Sequence, residues 1–211
     1  VYFRIGVPFE NVWMERIAAS RPDITVVDLR EGVELVPVSS TRPAAGRGPG
    51  ALDPHVWTAP PLVRGLAARI RDALSRAEPS RAAAFAEGFR RFAAELDALD
   101  DEIRRTLAGR RGRSFLVFHP SWGYFARAYG LTQVPIEEEG KEPGPKALVR
   151  TIETARRLGI RVVFVQKQFA RKDAEAVAAA IGGEVVAIDP LAEDFLANTR
   201  AVAAALARGL R

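Results

Sequence analysis

Two histidines occur in the 211 residues, and both sit in turns beside large aromatic residues. His55 lies in Asp53-Pro54-His55-Val56-Trp57, and His119 in Phe118-His119-Pro120-Ser121-Trp122. Neither is placed on the apolar face of a helix, where a packing histidine belongs. Two imidazoles carried by distant loops are what a chain needs to hold a divalent transition metal between two parts of a fold. Asp189, in Ile188-Asp189-Pro190, adds an oxygen ligand at another strand tip. Each residue also has a plainer reading. His119 could hydrogen-bond a loop carbonyl, Asp53-Pro54 is an ordinary turn starter ahead of His55, and Asp-Pro at position 189 is a common helix-start signal. The case for a site rests on convergence.

Composition narrows the chemistry. Cysteine is absent, which excludes disulfides, thiolate metal sites and a cysteine nucleophile. Two imidazoles and one carboxylate are an acceptable zinc set, with the fourth position left to water or a further carboxylate. The acidic run Glu137-Glu138-Glu139-Gly140-Lys141-Glu142 reads mainly as solvated, and it lacks the tight carboxylate pattern of a calcium or magnesium site. Glu10, Glu193 and Asp194 read as surface or capping acids. No nucleophile elbow, phosphate loop or HExxH helix is present. The net charge is +5, but the arginines are scattered among acids along helices, so the sequence points to solvated faces and not to nucleic acid. No apolar run is long enough to span a bilayer.

The elements that would position these residues read as α/β. Val1–Gly6 and Thr25–Leu29 are strands around a helix at 11–20, with Asn11 as its cap. Thr41–Gly50 reads as a mobile loop, followed by a helix over 60–76. The stripe Phe85, Phe89, Phe92, Leu96, Leu99, Ile103, Leu107 predicts one continuous amphipathic helix over about 80–108. At ~1.5 Å per residue it would span roughly 40 Å, the size of a whole domain. Beyond Gly112, strands at 114–118, 132–137, 161–165 and 184–188 alternate with helices at 121–129, 146–158, 172–181 and 192–208. Strands this apolar, alternating with helices, predict a parallel sheet buried on both faces. Ligands bind beyond the carboxyl ends of such strands, where His119 and Asp189 fall.

The motifs resemble a known family in order and spacing. Asp53-Pro54-His55-Val56-Trp57, the stretch Phe118 to Leu131, Glu139-Gly140-Lys141-Glu142-Pro143, Phe164-Val165-Gln166 and Ile188-Asp189-Pro190-Leu191 resemble the metal-specific solute-binding proteins of bacterial ABC importers for zinc and manganese, the ZnuA/TroA-like group. The resemblance spans essentially the whole chain. It implies two α/β lobes with parallel sheets joined by one long rigid helix. The N-terminal lobe would occupy 1–78, the linking helix 79–110 and the C-terminal lobe 111–211. It carries the metal ligands over to His55, His119 and Asp189, with Zn²⁺ favoured over Mn²⁺ because manganese binders typically place a carboxylate at the position of His119. It implies a periplasmic or extracytoplasmic receptor, not an enzyme, that delivers metal to an ABC permease. Membrane association would come only through that permease or an N-terminal anchor. Family members carry a further strand, helix and histidine ahead of the segment matching Val1–Glu10, so the chain is expected to lack the opening of its N-terminal lobe. The competing readings are a zinc hydrolase with the same three ligands and bound water, and a metal-free interaction module.

Overall fold

A computed structural model describes residues 1–38, 52–137, 143–169 and 171–210. The loop at 41–50 and most of the acidic run at 138–142, both singled out in the sequence, lie outside the described residues.

The chain opens with two short parallel strands, β1 (Tyr2–Arg4) and β2 (Val26–Asp28), joined through α1 (Pro8–Ser20). The helix begins at Pro8, three residues before the expected cap. Pro8 lacks an N–H to satisfy and suits the first turn. Glu10 is the reason the start moves. Its carboxylate accepts the backbone N–H groups of Ile5, Gly6 and Val7, and the Tyr2 hydroxyl at 3.2 Å. Of the two readings the sequence allows, surface acid or cap, Glu10 is therefore a buried cap. Asn11 instead accepts from the Arg4 guanidinium at 2.8 Å.

After a 3₁₀ turn at Val56–Thr58 come α2 (Pro60–Ala77) and the long α3 (Ala82–Thr106). The 25 residues of α3 amount to about 37 Å of helix. Its stripe divides into two parts. Leu96, Leu99, Ile103 and Leu107 are buried in the main core. Phe85, Phe89 and Phe92 are only half-buried, and Arg71 and Arg81 lie over the rings of Phe89 and Phe85 at 4.5 and 5.2 Å.

The second half builds a four-stranded parallel sheet from β3 (Ser114–Val117), β4 (Thr132–Pro135), β5 (Val162–Gln166) and β6 (Glu184–Ile188). The order across the sheet is β4-β3-β5-β6. Connecting helices are α4 (Gly123–Tyr129), α5 (Pro145–Arg157) and α6 (Lys172–Ile181), and α7 (Phe195–Gly209) closes the fold. Side chains alternate across the pleat. Phe115, Val117, Val162 and Phe164 pack against residues of α3, α4 and α7. Leu116, Phe118, Val163 and Val165 pack against α5 and α6. Burial on both faces explains the near-continuous apolar runs. The chain leaves β3 toward β4 on one side, then crosses to β5 on the other. This reversal places a topological switch point between β3 and β5, at the strand tip that carries His119.

Candidate metal centre

His119 lies two residues beyond β3. Its backbone is fixed from the neighbouring strand: the His119 N–H donates to the Gln166 side-chain oxygen at 3.2 Å, and the Gln166 amide donates back to the His119 carbonyl. The same amide donates to the Ser121 hydroxyl at 2.8 Å. Gln166 and Ser121 are both fully buried, so this network has no water to fall back on. Pro120 holds His119 out of the helical region, and Phe169 stacks on the imidazole at 4.9 Å between ring centres.

His55 arrives from the other side. The loop that carries it is tied down by the Asp53 N–H to the Val36 carbonyl and by the Thr58 hydroxyl to the His55 carbonyl. The Tyr124 hydroxyl, from α4, donates to the Asp53 carbonyl at 2.8 Å. Trp57 meets His55 edge-on, and its indole N–H donates to the Pro190 carbonyl at 3.0 Å, joining this loop to the tip of β6.

The two rings converge. His55 Nε2 and His119 Nε2 lie 3.4 Å apart. Each ring's other nitrogen is engaged by a buried carboxylate: His55 Nδ1 by Asp53 at 2.6 Å, and His119 Nδ1 by Glu137 at 2.8 Å. An ionised carboxylate only accepts, so each Nδ1 carries the hydrogen, which leaves Nε2 as the ring atom available to a metal. That is the arrangement in which outer carboxylates orient metal-ligating histidines. The spacing is that of two nitrogens on one small divalent cation. Two nitrogens bound to a tetrahedral zinc at ~2.0–2.1 Å are separated by about 3.3 Å. A small divalent cation seated between the rings would be coordinated by both Nε2 atoms.

Asp189 is not brought to this point. Its Oδ1 accepts from the Gln168 amide at 3.0 Å and from the Leu191 N–H at 2.9 Å, and Lys167 Nζ stands 3.7 Å from Oδ2. These donors, the Gln168 amide first, hold its carboxyl below the ordinary aspartate range. Among the described residues no group of three or more His, Asp or Glu side chains is gathered as a ligand set. The three residues singled out in the sequence thus resolve into a facing pair, His55 and His119, and a carboxylate held nearby by its own partners.

The residues that sequence reasoning passed over are Asp53 and Glu137. Asp53 reads as a turn residue and Glu137 as the first of a solvated acidic run. Glu137 nonetheless has only 4% of its side chain exposed. The structure gives the reason: Glu137 follows the tip of β4, next to β3, so it is placed beside the residue that follows β3.

A family model described as the periplasmic component A of the zinc-uptake complex, ZnuA, matches residues 1–209. Over 143 residues the chain is 29% identical to the zinc-binding protein AdcA of Streptococcus pyogenes serotype M1, a match covering 67% of this chain and 28% of AdcA. The chain therefore corresponds to less than a third of that curated relative. A crystal structure of ZnuA superposes with a TM-score of 0.89 at 36% identity, covering 100% of this chain and 79% of that one. A zinc-bound crystal structure of a ZnuA deletion mutant gives a TM-score of 0.88 at 37% identity, covering 100% and 78%. The parallel-sheet α/β fold expected from the sequence is the fold of these proteins, and the chain belongs to the family of the periplasmic zinc-uptake component ZnuA.

Proposed function

We propose that this chain captures Zn²⁺ outside the cytoplasm and hands it to an ABC-type permease. The observation that carries the reading is the facing pair of imidazoles, 3.4 Å apart, each with its outer nitrogen donated to a buried carboxylate. The names of the relatives point the same way, since AdcA is described as zinc-binding and a related ZnuA structure holds zinc.

In this reading His55 and His119 are nitrogen ligands and Asp189 is the oxygen ligand. Asp189 must leave Gln168 and Lys167 to reach the ion. His55 belongs to an N-terminal lobe at 1–78, and His119 and Asp189 to a C-terminal lobe at 111–211. The helix between them, at 79–110, resists wide opening, so capture and release proceed by movement of ligand-bearing loops. Two imidazole nitrogens with a carboxylate oxygen, and no thiolate, suit borderline zinc better than thiophilic ions. Mn²⁺ prefers more oxygen than this set supplies. No bond is made or broken in the bound metal's service, so the protein acts as a receptor and not an enzyme.

Isothermal titration with Zn²⁺ tests the assignment. The chain should bind one ion, His55→Ala and His119→Ala should each weaken binding by at least a hundredfold, and the double variant should bind none. Undiminished binding in the double variant would sink the proposal.

A further inference from the structure

We propose that the edge of the four-stranded sheet opposite the metal centre docks on an anionic lipid surface. In a parallel sheet every connecting helix runs back against the strands, so helix C-termini and strand starts share one edge. Here that edge collects arginine. The last turn of α3 and its loop into β3 contribute five within residues 104–113. The end of α5 and the turn into β5 contribute Arg156, Arg157 and Arg161, and α7 ends with Arg208. The acid at a strand start there is Glu184. What reads as scattered charge along the sequence is therefore gathered by topology into one basic face.

Arginine in a last helical turn complements the helix dipole, which explains some of these residues. It does not explain Arg111, Arg113 and Arg161, which are exposed and lie outside helices. Among the described residues, Arg104, bound to Asp100, and Arg127 in the last turn of α4, bound to Glu34, are the members of the face that acid side chains hold. The others keep their charge available. Arg156 donates to the Ala180 carbonyl, and Arg110 to those of Ala108 and Ala207.

Two features select lipid over other polyanions. Leu158 projects 45% exposed between Arg157 and Arg161, an apolar side chain set among cations as an interfacial anchor is. No exposed aromatic platform accompanies the arginines: among the described residues the exposed large hydrophobics elsewhere on the chain include Phe9 and Trp13, both on α1. Nucleic acid would call for such stacking groups or for an element shaped to a groove. Charge spread across the edge of a layered fold matches a surface of discrete anionic headgroups. Docked this way, the strand tips with His119 and Asp189 face away from the bilayer. The receptor would be held near the membrane while its metal centre stays open to the compartment.

The test is cosedimentation of the full chain with vesicles of phosphatidylcholine alone or mixed with phosphatidylglycerol. Binding is expected only to the anionic vesicles and should vanish at high ionic strength. Arg111→Gln with Arg157→Gln and Arg161→Gln should weaken it on the order of a hundredfold, at roughly fivefold per cation. The same substitutions should leave Zn²⁺ affinity and the thermal midpoint unchanged. Leu158→Ser, a milder change, should weaken binding several-fold. Equal binding to neutral vesicles, or an unaffected triple variant, would overturn the proposal. Tighter binding to duplex DNA than to anionic vesicles would overturn it in favour of nucleic acid.

Discussion

The Trp57 indole donates to the carbonyl of Pro190, the residue after Asp189, across 133 positions of sequence. This bond ties the loop bearing His55 to the strand tip bearing Asp189, although the Asp189 carboxylate itself turns toward Gln168. The backbone around the centre is thus assembled while one acidic side chain is held out of it.

Glu137→Gln and Asp53→Asn test the outer carboxylates. An amide can present its NH₂ to Nδ1 and so favour the wrong tautomer, moving the hydrogen toward Nε2. Each variant should lose roughly 10–100-fold in zinc affinity. Competition with a chromophoric chelator measures this, and an unchanged constant would show that neither carboxylate orients its ring.

Gln168→Ala tests whether Asp189 is restrained. The amide is a hydrogen bond to a charged group, and such bonds contribute about 1.5–3 kcal/mol. With solvent taking its place, part of that restraint is lost. Zinc affinity should rise about three- to tenfold, whereas Asp189→Ala should lower it. A fall in affinity for Gln168→Ala would mean that the amide supports the site.

Gln166→Leu removes the buried amide that serves His119 and Ser121 together. The Ser121 hydroxyl and the His119 backbone groups would be left without this partner inside the protein. Unmet buried groups cost about 1–3 kcal/mol each, so urea unfolding should show a loss of at least about 2 kcal/mol. A smaller loss would mean that water replaces the amide.

The tyrosines give a pH prediction. Burial pushes the Tyr129 phenol well above its usual range, helped by its hydrogen bond to Asp100, and burial also raises Tyr124. A folded value above the unfolded value of about 10 means that folding favours the protonated phenol. This contribution is complete below pH ~10 and is lost as the pH rises beyond it. Ultraviolet absorbance should show these phenolates appearing together with alkaline unfolding. Independent titration of Tyr129 near pH 10 in a folded protein would contradict its burial.

Much of this was legible in the sequence, and the limits have physical reasons. Strands and helices of the second half follow from periodicity, because burial on both faces leaves a strong apolar signal in β3 and β5. The two histidines stood out by number and by their place at turns. Glu137 did not, because its burial depends on β4 lying beside β3, and a strand order is not written in local pattern. Glu10 stayed open between surface acid and cap for a similar reason: a carboxylate enclosed by three backbone N–H groups looks, in sequence, like any acid near a helix start. The division of the α3 stripe also escaped pattern reading. Phe85, Phe89 and Phe92 keep the helical spacing, but covering them requires a neighbour that periodicity cannot name.

Tyr124 belongs to α4, yet its ring lies in the cluster formed by Leu29, Val56 and Leu66, and its hydroxyl accepts from the Val36 N–H, 88 positions away. Strands β1 and β2 therefore cannot complete their core until the chain has been made past residue 124. Order of synthesis and order of folding part company here. The segment from β1 to α2 must wait, partly open, for a side chain that α4 supplies.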